Sequence, residues 1–145
     1  MTVYFHENDI PNEIQLVGSV AIDTETMGLR TNRDRLCLIQ ISSGNGDAHL
    51  LKIENKKLNP KQRYKNLKKI LQNKKILKIF HFARFDLAAL NYYICKVEGN
   101  IWCTKIASKL SRTYTNKHGL SDLTRELLSI EISKEQQSSN WGSKI

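Results

Sequence analysis

A single α/β domain, with a mixed β-sheet and helices packed on it, is what this sequence predicts. Three features carry the prediction. Strand-like runs follow one another over residues 16–22, 36–41 and 49–53, a helix–strand–helix–strand alternation comes next, and 145 residues is the length of one ordinary domain.

Taken in order, residues 16–22 are apolar and partly β-branched, and residues 36–41 alternate in part. Residues 49–53 follow the turn-forming stretch Ser43-Gly44-Asn45-Gly46-Asp47, which predicts an antiparallel hairpin and makes the three strands a meander. Asn59 and Pro60 then supply a cap and a first-turn proline for a helix with Tyr64, Leu67, Ile70 and Leu71 on its apolar face. A fourth strand over 75–80 leads into a helix striped by Ala83, Leu87, Leu90 and Ile94. Residues 101–103 form a last short strand. Thr104 caps a helix that runs to Leu110, and Leu120, Leu123 and Leu127 mark another after Gly119. No repeat, low-complexity linker or domain boundary interrupts residues 1–145.

Composition narrows the class. With 40% hydrophobic residues, 26% charged and two prolines, the chain is globular rather than fibrous or disordered. No apolar run approaches the roughly 20 residues of a membrane span. The start carries His6, Glu7 and Asp9 and lacks the basic-then-apolar order of a signal peptide, so a cytoplasmic location is expected. Cys37, Cys95 and Cys103 are odd in number and scattered, which reads as free thiols packed as small hydrophobes. The net charge of +9 is concentrated between Lys52 and Lys78, where Glu54 is the single acid in a run of lysines. Such a field attracts a polyanion, although a solvated helix face has the same composition.

The chemistry lies at strand ends. In Asp23-Thr24-Glu25 the carboxylates are two residues apart, so a strand continuing through Glu25 projects both to one side. Carboxylates paired in a cleft repel each other until a cation neutralises them, and hard divalent ions prefer such oxygen ligands. Caps and surface ion pairs are the ordinary alternative for such a pair. Asp86 arrives at the end of another strand, on a strand-to-helix turn where the helix dipole favours negative charge; structural capping is its alternative role. A two-metal nuclease needs about four carboxylates from several elements around ions roughly 3.5 to 4 Å apart. Asp23, Glu25 and Asp86 are three.

Asp23-Thr24-Glu25-Thr26-Met27-Gly28-Leu29, then Leu38-Ile39-Gln40-Ile41, then His81-Phe82-Ala83-Arg84-Phe85-Asp86 resemble, in that order, the ribonuclease D group of DEDD 3′-to-5′ exonucleases. The resemblance continues through Thr104-Lys105-Ile106-Ala107-Ser108, Gly119-Leu120 with Leu123, and Gln137-Ser138-Ser139-Asn140-Trp141, nearly the whole chain. It implies a ribonuclease H-like mixed sheet flanked by helices and hydrolysis of single-stranded RNA or DNA from the 3′ end with two Mg²⁺ or Mn²⁺ ions. By that resemblance Asp23 bridges both ions, Glu25 binds one and orients the terminal nucleotide, and Asp86 holds the second ion through water. Thr24, Met27, Gly28, Leu29, His81 and Phe85 are the candidate substrate-binding positions. Leu29 and Gln40 also read as packing positions, and Phe82 and Phe85 as core, an exposed one being able to stack on a base. For His81 a satisfied core histidine is the alternative.

The third motif of that family is a Tyr or His followed four residues later by Asp. Trp141 falls just upstream of where it should begin. His118 and Asp122 have the spacing but belong to a segment that the resemblance places earlier. The expectation is therefore an exonuclease domain that stops before its terminal helix, with little or no cleavage of its own. A homo-oligomer or another partner would then cover the sheet. A non-catalytic nucleic-acid-binding remnant and a truncated gene product without function are the alternatives.

Overall fold

Alternation of large apolar and small or charged residues through Ser19–Thr26 produces a strand that buries Val20, Ile22 and Thr24 on one face and turns Ala21, Asp23 and Glu25 to the other. It is the second of six strands in a computed structural model that describes residues 2–14, 18–54 and 63–132. The elements are β1 (Thr2–His6), β2 (Ser19–Thr26), β3 (Leu36–Ser42), β4 (Asp47–Lys52), α1 (Lys65–Gln72), β5 (Leu77–Phe80), α2 (Ala83–Tyr93), β6 (Ile101–Cys103), α3 (Thr104–Ser111) and α4 (Leu120–Leu128). Their order in the single sheet is β1-β4-β3-β2-β5-β6. The meander β2-β3-β4 is antiparallel, while β1 on β4, β5 on β2 and β6 on β5 are parallel. The sheet is therefore mixed, as the sequence predicts.

The core lies between one sheet face and the helices. Val20, Ile22, Ile39, Ile41, Leu51 and Phe80 from the strands meet Leu67 and Leu71 of α1 and Ala83 and Leu90 of α2. Burial of these side chains is the main favourable term holding α2 against β2, β3 and β5.

Several local expectations are corrected. β1 was not anticipated, although Thr2-Val3-Tyr4-Phe5-His6 is rich in β-formers; as an edge strand exposing both faces it shows no alternation in burial. β2 begins and ends later than residues 16–22, and residues 15–17 lie outside the described set. β5 starts at Leu77 because Asn73 turns the chain first, its side chain accepting from the Lys75 N–H at 2.9 Å and its carbonyl from the Ile76 N–H at 3.2 Å. Asn59 and Pro60 are also outside the described residues; the described α1 follows Tyr64, whose φ is 56°. Thr104 is the first helical residue of α3 rather than its cap, and its hydroxyl donates to the Phe80 carbonyl at 3.2 Å.

Lys78 departs most from the charge reading. Within the basic run it is wholly buried, because it shares the core-facing side of β5 with Phe80. Its ammonium donates to the carbonyls of Asn73 at 2.5 Å and Glu98 at 2.6 Å, and burial lowers its pKa. Replacing it by Met should leave both carbonyls without that donor, and we expect urea denaturation to show a loss of about 1–3 kcal/mol. A Lys78→Met variant as stable as the parent would refute this role.

Candidate active site

β5 pairs with β2 only from Ser19↔Leu77 to Ala21↔Ile79, so beyond Ala21 that edge of β2 has no strand neighbour. The chain leaving β5 turns into α2 and fills the opening with the first helical turn. Asp86, 2% exposed, accepts there from the Thr24 N–H at 3.0 Å and from the Thr24 hydroxyl at 2.7 Å, both on one carboxylate oxygen. Thr24 thus satisfies a backbone donor that the sheet does not use and fixes a helical carboxylate beside the strand. Asp23 and Glu25 alternate with it on the other face, and Gln40, opposite Asp23 across the strands, donates to the Asp23 carboxylate at 3.3 Å.

Burial raises the proton affinity of all three carboxyls, and the charge of Asp23 adds to it at Glu25 and Asp86. Glu25 is pushed up to about 7, first by burial and then by the charges of Asp23 and Asp86. Burial also raises Asp86 to about 6, against the opposing pull of the Thr24 hydroxyl. Asp23 is raised by the same cause, since the walls beside its carboxyl withhold water even though much of the residue is exposed. Such a cluster is relieved by protons or by a cation. Among the described residues no three Asp, Glu, His or Cys side chains close into a cage.

A cavity of about 290 Å³ opens beside Asp23 and is lined by Gln40, Ser42, His81, Thr104 and Leu120 among others. A larger one of about 350 Å³ lies between α3 and α4, mostly apolar and without a carboxyl, which removes it from consideration as the reactive centre. His81 reaches the first cavity half-buried, its Nδ1 paired with the Thr104 hydroxyl at 2.9 Å; burial and the nearby Lys105 lower its pKa.

The loop after β2 places the other candidates. Thr26 donates to the Gly28 carbonyl at 2.5 Å, and a Cβ on Gly28 would crowd the Asp34 carboxylate, which would have to shift. Asp34 in turn accepts from the Arg30 N–H at 2.9 Å and closes the loop. Met27 and Leu29 stand out from it, 56% and 84% exposed. Leu29 is therefore not a packing residue, and Gln40 serves Asp23 rather than the core. Phe85 is half-buried on α2. Phe82, expected in the core, is 50% exposed with the Lys105 ammonium 4.4 Å from its ring centroid.

His118 and Asp122 are engaged elsewhere, with Ser108 at 2.8 Å and Arg125 at 2.9 Å respectively. The segment around Trp141 lies outside the described residues. Sequence reasoning gave Thr24 no role toward Asp86 and Lys105 no role of its own; alternation in β2 places Thr24 on the helix side, which was the available signal for the first.

A mixed six-stranded sheet flanked by helices, with Asp23 and Glu25 on β2 and Asp86 on α2, has the ribonuclease H-like architecture. The chain belongs to the 3′-5′ exonuclease family, whose pattern matches residues 2–145. It is 26% identical over 125 residues to ribonuclease D of Gluconacetobacter diazotrophicus, a match covering 86% of this chain and 30% of that protein. NrnC of Brucella melitensis with bound Mg²⁺ superposes with a TM-score of 0.90 at 48% identity, covering 100% of this chain and 69% of that one. NrnC bound to pGG gives 0.91 at 49% identity and the same coverage. Ribonuclease D of Escherichia coli, at 22% identity, 87% of this chain and 32% of that one, shares the fold with a TM-score of 0.69.

The raised carboxyls set a pH dependence. Their folded pKa values lie above the ordinary values of 4.5 for Glu25 and 3.8 for Asp86, so their contribution to stability is full below those values. It is lost as pH rises through about 6 to about 7. In EDTA the melting temperature should fall across this window, and Glu25→Gln should flatten the fall; parallel curves for the two proteins would contradict it.

Proposed function

We propose that this chain carries the catalytic carboxylates of a divalent-metal-dependent 3′-to-5′ exonuclease acting on single-stranded RNA or DNA. The observation that carries the proposal is the pair of Thr24 hydrogen bonds that fixes Asp86 of α2 beside the strand segment bearing Asp23 and Glu25, with the pKa of all three carboxyls raised. Family membership and the Mg²⁺ and pGG complexes of the Brucella relative support it.

In this reading Asp23 and Glu25 hold Mg²⁺ or Mn²⁺ from the strand, and Asp86 orients its free oxygen toward the same space. A divalent ion held there supplies an activated water and charge stabilisation for the leaving oxygen. Gln40 keeps the Asp23 carboxylate turned into the cleft. Exposed Met27 and Leu29 offer apolar surface to the terminal base, Gly28 lets the loop close, and Thr24 acts through Asp86. His81 and Phe85 border the strand's path. A cytoplasmic location accords with this role, and no described helix is long and apolar enough to cross a membrane. The alternative is a binding module that holds nucleic acid through its charge of +9 without cleaving it.

The test is release of nucleotides from 5′-labelled single-stranded RNA and DNA with Mg²⁺ or Mn²⁺. In contrast to the sequence-based expectation of little or no cleavage, this reading predicts stepwise 3′ shortening, lost in EDTA and reduced more than about 100-fold by Asp23→Asn, since even outer-shell changes at metal sites cost about 10 to 100-fold. Shortening that survives Asp23→Asn would overturn the assignment of the site. Binding without shortening would favour the alternative.

A further inference from the structure

Three described residues other than glycine have left-handed backbone conformations: Tyr64 at φ 56°, Phe82 at φ 67° and Ser129 at φ 56°. This conformation is unfavourable for side chains bearing a Cβ, and it persists where surrounding structure holds it or function uses it. Tyr64 has a structural reason, since its ring is buried and its hydroxyl accepts from the Glu54 N–H at 3.2 Å. Ser129 ends α4, where left-handed residues are ordinary. Phe82 has neither: it starts α2, makes no side-chain cap and leaves half its surface in solvent.

Its location supplies a reason. β2, β5 and β6 are parallel, so their C-terminal ends lie along one edge of the sheet. Asp23 and Glu25 stand near the end of β2, Phe82 follows the end of β5, and Lys105 follows the end of β6. The carboxylates, an exposed aromatic ring and an ammonium are thus arrayed across neighbouring strands. Single-strand binders combine such elements, a ring for a base and a cation for the backbone.

We propose that Phe82 and Lys105 form a nucleotide subsite on the path of a single strand toward the carboxylates, with a base stacked on the open face of the Phe82 ring and a phosphate neutralised by Lys105. The left-handed turn serves this by projecting the ring out of the β5–α2 junction. The subsite rests on the nuclease reading, because it assigns a direction of approach to the same substrate.

The test is binding of a short fluorescein-labelled single-stranded RNA with Ca²⁺ in place of Mg²⁺. Asparagine tolerates the left-handed conformation, so Phe82→Asn should melt at or above the parent's temperature while binding RNA about tenfold more weakly, within the range for loss of one stacked base. Phe82→Trp should bind at least as tightly as the parent. Lys105→Gln should reduce the slope of log affinity against log salt by about 0.7, one single-strand phosphate contact. In a scan of abasic positions, one position should cost the parent about tenfold and cost Phe82→Asn nothing further.

Unchanged RNA affinity in Phe82→Asn overturns the subsite. An abasic scan equally costly in both proteins does so as well. Should Phe82→Asn fail to fold, the Lys105→Gln slope and the parent's abasic scan decide the question. A parent protein that does not bind the RNA under any ionic condition refutes the nuclease reading beneath it.

Discussion

The hydrogen bonds from Thr24 to Asp86 join the two halves of this structure. They form where parallel pairing between β2 and β5 has stopped, so the strand has a donor to offer and the helix has room to approach. Remove the helix and a backbone N–H is left unsatisfied at the sheet edge; remove the hydroxyl and a nearly buried carboxyl loses its closest partner. Leaving such groups unpaired costs about 1–3 kcal/mol each. One contact therefore closes the β2–α2 junction and sets the direction of a carboxylate. The rest of the site follows from strand alternation, which turns Asp23 and Glu25 to the opposite face.

Turns at the same sheet end are specialised in different ways. After β2, Gly28 allows Asp34 to close a loop that leaves Met27 and Leu29 exposed. After β5, the chain enters α2 through a left-handed phenylalanine. After β6, Thr104 binds back to the Phe80 carbonyl and pairs with His81, so the beginning of α3 is tied to the end of β5. The β5–α2 and β6–α3 connections are thereby tied to each other, while the loop after β2 is closed by its own hydrogen bonds.

What was legible in the sequence was whatever depends on local period and turn chemistry. Asp23 and Glu25 on one side of a strand, the Gly-rich hairpin between β3 and β4, and the apolar stripe of α1 all follow from spacing alone. Long-range pairing was not legible. Thr24 looks like any strand threonine until α2 arrives 62 residues later. Lys78 lies two residues before Phe80 and shares its face, so the period of the strand predicted burial, but its place in a run of lysines argued for solvent. Phe82 and Leu29 misled in the opposite direction, because apolar character predicts burial only on average. β1 escaped notice since an edge strand with both faces exposed has no alternation to read.

The charge pattern separates recruitment from chemistry. Lys65, Lys69, Lys74 and Lys75 are exposed on and after α1, and with a net charge of +9 they favour approach of a polyanion. At the end of β2 the sign reverses, where Glu25 feels the charges of Asp23 and Asp86. A phosphodiester would be repelled there if all three were ionised and unaccompanied. The elevated pKa values of Glu25 and Asp86 come first from burial, to which repulsion from the neighbouring carboxyls adds. A divalent cation held by these carboxylates would resolve both conflicts, taking the place of the protons and presenting positive charge to a phosphate. The basic surface favours approach of nucleic acid, while a phosphate beside Asp23, Glu25 and Asp86 would need positive charge next to the carboxylates themselves.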